Sequence, residues 1–243
     1  MNIVQPHPAW QERTIQLLGE EKHARLRSAH ILVAGLGGVG SVAAEMLCRS
    51  GIGKMTLVDG DTIQPSNLNR QLPATHRTLG ESKVSAMAER LKDINPGLEL
   101  DMVDEFIREE RIPRLLETPY DYVVDAIDTL SPKIYLIYHA VKMGRRLASS
   151  MGSGGKLDPS QVRVADFGAT YNCRLAYVLR KKLRKMGVEG GFSTVFSTEQ
   201  VPSEMVIPVE GERNKKSTVG TISYIPAIFG CMLASIVIRD LTA

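Results

Sequence analysis

Short apolar runs alternate with amphipathic stretches over residues 1–150. The runs are typical of parallel strands buried on both faces, and the stretches between them repeat apolar residues at helical spacing. This pattern predicts strands over 30–35, 54–59, 98–103 and 122–126, and helices over 38–51, 82–95 and 132–143. Ser82 suits the N-cap of the second of these helices. The repeated strand–helix order predicts an α/β fold with a doubly wound, mainly parallel Rossmann-like sheet.

The pattern changes after about residue 150. Alternation over 162–167 predicts an antiparallel strand, followed by a basic helix over 174–186, a strand over 192–198 and an apolar helix over 226–241. No linker separates the two parts of the chain. We therefore expect one domain over residues 1–243, with a nucleotide-binding half (1–150) and a substrate-binding half (151–243) whose antiparallel strands extend the sheet.

Composition indicates a globular protein, and the charge is unevenly distributed between the two halves of the chain. The 243 residues are 43% hydrophobic and 23% charged, which is typical of a globular chain with its own core. Residues 1–150 carry 18 Lys and Arg against 19 Asp and Glu, and the remaining residues carry 12 against 8. A polyanionic partner is therefore expected to meet the second half.

Membrane and export signals are not expected. The uncharged stretch 225–238 is 14 residues long, shorter than a membrane span, and contains Pro226 and Gly230, so it predicts a buried helix. The first ten residues lack the apolar core of a signal peptide. Cys48, Cys173 and Cys231 are far apart and form no CxxC pair, which indicates a reducing, cytoplasmic location.

A glycine-rich turn follows the first predicted strand and opens a helix. Its glycines suit a tight turn, close approach of a phosphate to the backbone, and close helix–strand packing. They are Gly35, Gly37, Gly38 and Gly40. Asp59 ends the next strand, where a carboxylate can accept hydrogen bonds from a ribose. The turn predicts a nucleotide site without saying which nucleotide, and the alternative is a turn used for packing alone.

The loop after Asp59 favours a triphosphate. Arg70 and Lys83 would place two cations beside the pocket, which suits the charge that builds up when pyrophosphate leaves better than it suits a dinucleotide. Asp125 and Asp128 follow the fourth predicted strand, at the sheet edge where α/β proteins bind ligands. A carboxylate there could hold Mg²⁺ through its oxygens.

These residues resemble the ubiquitin-activating-enzyme superfamily of adenylyltransferases, which includes bacterial activators of sulfur-carrier proteins. The elements Gly-x-Gly-Gly-x-Gly, Asp-x-Asp, Ser-Asn-Leu-x-Arg-Gln, Gly-x-x-Lys and Asp-x-x-Asp occur here in the superfamily's order. The resemblance implies that ATP is the nucleotide and that Mg²⁺ accompanies it. By the resemblance, Asp59 binds ribose, Asp128 holds the metal, and Arg13 reaches the triphosphate of the partner subunit in a homodimer. By the resemblance, Asn67, Arg70 and Lys83 bind the triphosphate. The predicted nucleotide site also includes Asp61 and Asp125.

The second half resembles one branch of that superfamily, the tRNA threonylcarbamoyladenosine dehydratases. The two zinc-binding CxxC pairs usual in sulfur-carrier activators do not occur in the sequence. The segments 152–159 and 195–199 and the basic helix resemble the dehydratases instead. One departure is Asn172-Cys173, where Asp-Pro is expected before the basic helix.

The resemblance implies ATP-dependent dehydration and cyclisation of N6-threonylcarbamoyladenosine in tRNA through an acyl-adenylate. The carbamoyl group of the same nucleoside would attack the activated carbonyl, so no enzyme nucleophile is required. Arg70, Lys83, Asp128 and Arg13 would carry the catalysis. Two alternatives stay open: an adenylyltransferase for a sulfur-carrier protein, and a nicotinamide-dependent redox enzyme or non-catalytic nucleotide-binding module. A sulfur-transfer protein is a further possible partner.

The basic helix has two interpretations. It carries six cations and no acid within 12 residues: Arg174, Arg180, Lys181, Lys182, Arg184 and Lys185. Such a run is usually a solvated helix face, but the same residues would bind a tRNA backbone. Arg213, Lys215 and Lys216 could add to that surface. Cys173 lies near these cations, which could lower its pKa, whereas Cys48 and Cys231 are expected to be inert.

Overall fold

A computed structural model describes residues 8–202, 206–208 and 217–243. At its centre is a seven-stranded sheet with the strand order β3-β2-β1-β4-β5-β7-β6. All neighbouring strands run parallel except β6, which pairs antiparallel with β7. The seven strands are β1 (His30–Ala34), β2 (Lys54–Val58), β3 (Glu99–Val103), β4 (Tyr122–Asp125), β5 (Leu147–Ser150), β6 (Val162–Asp166) and β7 (Ser193–Ser197). β8 (Val206–Pro208) and β9 (Ser217–Val219) form a separate antiparallel pair.

Helices cover both faces of the sheet. They are α1 (Glu12–Leu18), α2 (Glu20–Ser28), α3 (Gly40–Arg49), α4 (Lys83–Ile94), α5 (Ile112–Glu117), α6 (Leu130–Lys142), α7 (Arg174–Lys185) and α8 (Tyr224–Thr242). In β1, Ile31 and Val33 pack into a core with α2, α3, α4 and α8, while Leu32 and Ala34 pack into a second core with α5, α6 and α7. The strand is therefore buried on both faces, as its unbroken apolar run predicts.

The predicted doubly wound sheet with an antiparallel extension is confirmed. Every predicted strand and helix occurs, with ends shifted by only one or two residues. The features that were not predicted include α2, α5, β5 and the β8–β9 pair. β5 escapes detection because its sequence, LASS, has no apolar run. Its serines are nevertheless buried, because Ser149 donates a hydrogen bond to Asp125 of β4.

The C-terminal helix α8 packs closely against α3. An added Cβ at Gly230 would lie 2.5 Å from the carbonyl oxygen of Val39, so the glycine allows the two helices to approach. Phe229 and Leu233 are fully buried. Among the described residues, α8 alone is long and apolar enough to pass for a membrane span, but half of its apolar stretch is buried inside the protein. The predicted buried helix is therefore confirmed.

The strand order reverses between β1 and β4. At such a switch point the loops after the two strands diverge, which leaves a crevice at their carboxyl ends. Gly35 follows β1 and Asp125 ends β4, so both lie at this crevice. The topology thus makes neighbours of the first and fourth predicted strands. The glycine turn follows the first strand, and the candidate aspartates lie at the end of the fourth.

Candidate active site

The glycines of the turn have different structural roles. Gly35 has a φ of +90°, and a Cβ there would lie 2.7 Å from the carbonyl oxygen of Ala126. A Cβ at Gly40 would lie 1.7 Å from the carbonyl oxygen of Gly35. These two positions therefore need glycine for packing. At Gly37 the nearest atom is Nε2 of Gln71, at 3.8 Å. Packing does not demand glycine at 37, and the open backbone there fits close approach of a phosphate.

Asp59 links the glycine turn to the loop after β2. Its Oδ2 accepts a hydrogen bond from the Leu36 amide at 2.6 Å, and its Oδ1 accepts one from the Asp61 amide at 2.9 Å. Burial raises the pKa of Asp59, an effect partly opposed by the nearby Lys83 and these backbone amides. Asp59 therefore shapes the crevice, and its contact with a ribose stays a prediction.

Lys83 is the first residue of α4 and is ion-paired. Ser82 caps the helix as predicted, accepting a hydrogen bond from the Ser85 amide at 3.3 Å. The Nζ atom of Lys83 lies 2.6 Å from Oδ2 of Asp61, and only 6% of the lysine side chain is exposed. Asp59 and Asp61 thus connect this cation to the glycine turn.

Arg70 approaches the turn from another direction. A Cβ at Gly38 would lie 3.3 Å from Cγ of Arg70, so the arginine stem packs directly on the turn. Its Nη1 donates to the Ser66 carbonyl at 2.9 Å and to Oδ1 of Asn69 at 2.7 Å. These two bonds hold the guanidinium within the loop after β2. Arg70 therefore lies against the glycine turn, while Lys83 is linked to that turn through Asp61 and Asp59; their shared role in binding a triphosphate stays a prediction.

Two amides complete this part of the crevice. The Oδ1 of Asn67 accepts a hydrogen bond from the Gln64 amide at 3.0 Å, so its NH₂ group is what it can offer to a phosphate. Gln71 was not singled out as a site residue, although it ends the same motif. It is 7% exposed, and among the described residues its Oε1 has no hydrogen-bond partner.

Asp125 has a structural role, so our prediction that it binds the nucleotide directly is corrected. It is completely buried, and its Oδ2 accepts hydrogen bonds from Lys133 and Ser149, both at 2.6 Å. Its Oδ1 accepts from the Ile127 amide at 3.1 Å. No carboxylate surface is left for a ligand. Lys133 was missed because a lysine in an apolar helix gives no local sign of burial, yet it too is fully buried.

Asp128 is exposed in the turn between β4 and α6, where a metal could reach it. Among the described residues, no three His, Cys, Asp or Glu side chains form a preformed metal site. This donor set still fits Mg²⁺, which commonly uses one or two carboxylates and completes its shell with phosphates and water. Its role as a metal ligand stays a prediction.

Arg13 is not brought to the crevice of its own chain. It lies in α1 beside Ser50, which follows the C-terminal end of α3. The glycine turn is at the other end of α3, about 15 Å away for a helix of ten residues. Arg13 therefore lies far from the glycine turn of its own chain, and its contact with a nucleotide stays a prediction.

The loop before α7 reaches the same sheet edge. A Cβ at Gly152, shortly after β5, would lie 3.9 Å from Sγ of Cys173. Asn172 adopts a left-handed φ of 52° and donates from Nδ2 to the Thr198 carbonyl, which accounts for the local geometry at this departure from the dehydratase pattern. Cys173 is 8% exposed, which argues against the reactive thiol considered above.

The other two cysteines differ from each other in exposure. Cys48 is fully buried, and burial raises its pKa to about 12, as expected for an inert core thiol. Cys231 is exposed on α8 rather than packed in the core.

Five of the six predicted basic-helix cations are exposed. Arg180 is half-buried and donates a hydrogen bond to Thr170, so it supports the loop before α7 instead of facing solvent. The exposed five are Arg174, Lys181, Lys182, Arg184 and Lys185. Arg213, Lys215 and Lys216 lie outside the described residues.

Comparison with known proteins agrees with this geometry. A model of the ThiF family matches residues 11–243. The tRNA threonylcarbamoyladenosine dehydratase of Bacillus subtilis is 38% identical over 231 residues, covering 92% of this chain and 91% of the relative. The crystal structure of the Escherichia coli tRNA N6-threonylcarbamoyladenosine dehydratase in complex with ATP superimposes with a TM-score of 0.88 at 35% identity, covering 98% and 97% of the two chains. An adenylyltransferase and sulfurtransferase of Aspergillus niger is 35% identical but covers 58% of this chain and 29% of its own length.

Proposed function

The chain belongs to the ThiF family, and we propose that it is an ATP-dependent tRNA threonylcarbamoyladenosine dehydratase. The observation that carries this proposal is the extent of the likeness to dehydratases, which takes in both the nucleotide-binding half and the half with the basic helix. The sulfurtransferase relative matches a much smaller part. We also propose that residues 1–150 and 151–243 act as two halves of one domain.

The crevice fits ATP. The open backbone at Gly37, the amide of Asn67 and the cations of Arg70 and Lys83 are the groups that would hold the phosphates. The threonyl carboxylate would attack the α-phosphate of bound ATP, which releases pyrophosphate and forms an acyl-adenylate. The carbamoyl group of the same nucleoside would then attack the activated carbonyl and close the ring, releasing AMP and a proton, so that the nucleoside loses the elements of water overall. Asp59 would accept hydrogen bonds from the ribose hydroxyls.

The side chains contribute charge and position rather than a nucleophile. Arg70 and Lys83 would neutralise the charge that develops as pyrophosphate leaves. The second nucleophile already belongs to the substrate, so holding it in place gives a high effective concentration. The burial of Cys173 agrees with a mechanism without a covalent enzyme thiol.

Several finer assignments belong to the same proposal. Asp128 would hold Mg²⁺ together with the phosphates. Arg13 would complete the active site of a second copy in a homodimer, because it lies at the far end of α3 from its own glycine turn. A cytoplasmic location and tRNA as the polyanionic partner follow from the proposed reaction. A sulfur-transfer protein remains a further proposed partner.

The decisive test is mass spectrometry of nucleosides from tRNA incubated with the protein and ATP. Loss of one water from threonylcarbamoyladenosine supports the proposal. ATP–pyrophosphate exchange that requires a sulfur-carrier protein and ignores tRNA would support the alternative adenylyltransferase. Preferential binding of NAD(H) over ATP would support the redox enzyme instead.

The homodimer can be tested by mixing two inactive variants. Arg13→Ala has an intact crevice and Arg70→Ala has an intact Arg13. If each active site combines residues from two copies, the mixture regains up to about a quarter of wild-type activity through random pairing. A mixture that stays inactive, with exchange of subunits demonstrated, would contradict the assignment of Arg13.

A further inference from the structure

The exposed face of α7 carries an aromatic ring among its cations. Arg174, Tyr177, Lys181, Arg184 and Lys185 lie on one side of the helix, opposite the buried Ala176, Leu179 and Leu183. We call these five residues the basic strip. Tyr177 is 62% exposed. Arg174 precedes it by three residues and Lys181 follows it by four, so both cations are its neighbours on the helix surface.

A second exposed tyrosine stands at the head of the strip. Tyr171, in the loop before α7, is 55% exposed, and one edge of its ring rests against Phe196 of β7 with 5.5 Å between the ring centroids. The contact with Phe196 holds the ring in place while its remaining surface faces solvent. Two exposed aromatic rings therefore come three residues before and three residues after Arg174 in the chain, in a segment rich in positive charge.

The head of the strip lies near the candidate active site. A Cβ at Gly152 would lie 3.9 Å from Cβ of Leu175, in the first turn of α7. Gly152 comes three residues after Ser149, which donates a hydrogen bond to Asp125 at the crevice. From this edge the strip extends along α7 for about 17 Å, a length that spans several phosphates of a nucleic acid.

We propose that Tyr171 and Tyr177 stack on unpaired bases next to the reactive nucleoside while the cations of the strip contact the RNA backbone. The inference rests on the proposed function. Threonylcarbamoyladenosine carries its substituent on N6, at the base-pairing edge, so we infer that the modified nucleotide is presented to the enzyme within a single-stranded segment. Proteins bind such segments by combining cations for the backbone with aromatic rings for the bases. A face that met only duplex RNA would use cations without needing exposed rings.

The two kinds of contact have different signatures in binding. Affinity for the RNA hairpin that contains threonylcarbamoyladenosine is measured by fluorescence anisotropy over a series of salt concentrations. Tyr177→Ala should weaken binding by about 5-fold to 100-fold with the salt dependence unchanged, and Tyr171→Ala should act alike. Lys181→Ala should also weaken binding but lower the slope of log K against log salt by about 1.

Matched variants separate these contacts from general damage. Tyr177→Phe keeps the ring and should bind as the wild type does. Lys92→Ala removes an exposed cation from α4, on the opposite face of the sheet, and should leave both affinity and slope unchanged. Wild-type melting temperatures in all variants would show that the exposed positions do not support the fold.

The outcomes distinguish this inference from the proposed function. Wild-type affinity in both tyrosine→Ala variants overturns the stacking proposal, even if the enzyme dehydrates the nucleoside normally. A salt slope that falls in Tyr177→Ala overturns it as well, because a stacked ring releases no counterions. A wild-type protein that binds the hairpin through Tyr177 but never removes water from the nucleoside overturns the proposed function and supports the surface.

Discussion

The ammonium of Lys83 lies 2.6 Å from a carboxylate oxygen of Asp61, and the two side chains differ sharply in exposure. The lysine is 6% exposed and the aspartate 49%. The buried cation is therefore held by a partner at the rim of the crevice. An ammonium has three donors, so Lys83 can keep this bond while it contacts a phosphate. Asp61 is best understood as a residue that positions Lys83.

Removing the lysine of this ion pair should slow the reaction more than removing the charge of its aspartate partner. Lys83→Ala should lower the rate of AMP formation by about 10²-fold to 10³-fold, since it removes a charge that stabilises the leaving pyrophosphate. Asp61→Asn alone should lower the rate by a smaller factor. Because Asp61 acts through Lys83, adding Asp61→Asn to Lys83→Ala should cause no further loss of rate. Single-turnover assays with the four proteins measure this; independent, additive losses would contradict the positioning role.

Arg70 should not be replaceable by lysine. Arg70→Ala should lower the single-turnover rate by about 10²-fold to 10³-fold. Arg70→Lys should restore little, because an ammonium lacks the forked donor geometry that contacts both the loop and a phosphate. The exposed Arg77 in the same loop provides a matched control, and Arg77→Ala should react at the wild-type rate. Equal losses at positions 70 and 77 would point to a general electrostatic effect.

Substitution by alanine should have different consequences at two glycines of the turn: loss of stability at one and loss of ATP affinity at the other. Gly40→Ala would place its Cβ 1.7 Å from the carbonyl oxygen of Gly35, so it should destabilise or abolish the fold. Gly37→Ala meets nothing closer than 3.8 Å, so it should melt near the wild-type temperature and instead bind ATP more weakly. Thermal melting with and without ATP distinguishes these effects. A stable Gly37→Ala protein with unchanged ATP affinity would remove position 37 from the site.

Asp125 and Lys133 should matter mainly for stability. Removing one partner leaves the other charge buried, so Asp125→Ala or Lys133→Ala should each cost about 3–5 kcal/mol. The double variant should lose less than the sum of the two, because no uncompensated charge remains. The exposed pair of Lys54 and Asp101 is the control, and Lys54→Ala should cost less than about 1 kcal/mol. Denaturant unfolding measures all four; additive losses would contradict direct pairing.

Glu45 should make stability depend on pH in the acid range. Burial opposes ionisation of its carboxyl group, but hydrogen bonds from Arg90 and Arg49 outweigh burial and hold its pKa below the ordinary value. The charged form therefore favours folding above the unfolded pKa of about 4.3, and this contribution is lost as the pH falls through the folded pKa. The wild type should melt above Glu45→Gln at pH 7 and approach it at lower pH. A constant difference would contradict the linkage.

Long buried apolar runs located some of the strands, although β3 was also predicted and is largely exposed. β1 and β2 are buried on both faces, and their apolar runs gave their positions to within a residue. β5 was missed because two of its four residues are serines, of which Ser149 donates a hydrogen bond to Asp125 of β4 and Ser150 donates one to the Met151 carbonyl. α5 is short and has Pro113 in its first turn, and it was also missed.

The amino-acid sequence by itself predicted the parallel α/β order, the glycine turn and the basic helix, and it singled out Arg70 and Lys83 as candidate cations of the site. Each of these depends on residue types close together in the chain, where spacing reflects backbone geometry directly. Only the tertiary structure decided that Asp125 faces Lys133 and Ser149, that Asp61 holds Lys83, and that Arg13 lies away from its own crevice. Such partnerships join distant segments, because a buried charge takes its counter-charge from whichever element packs beside it.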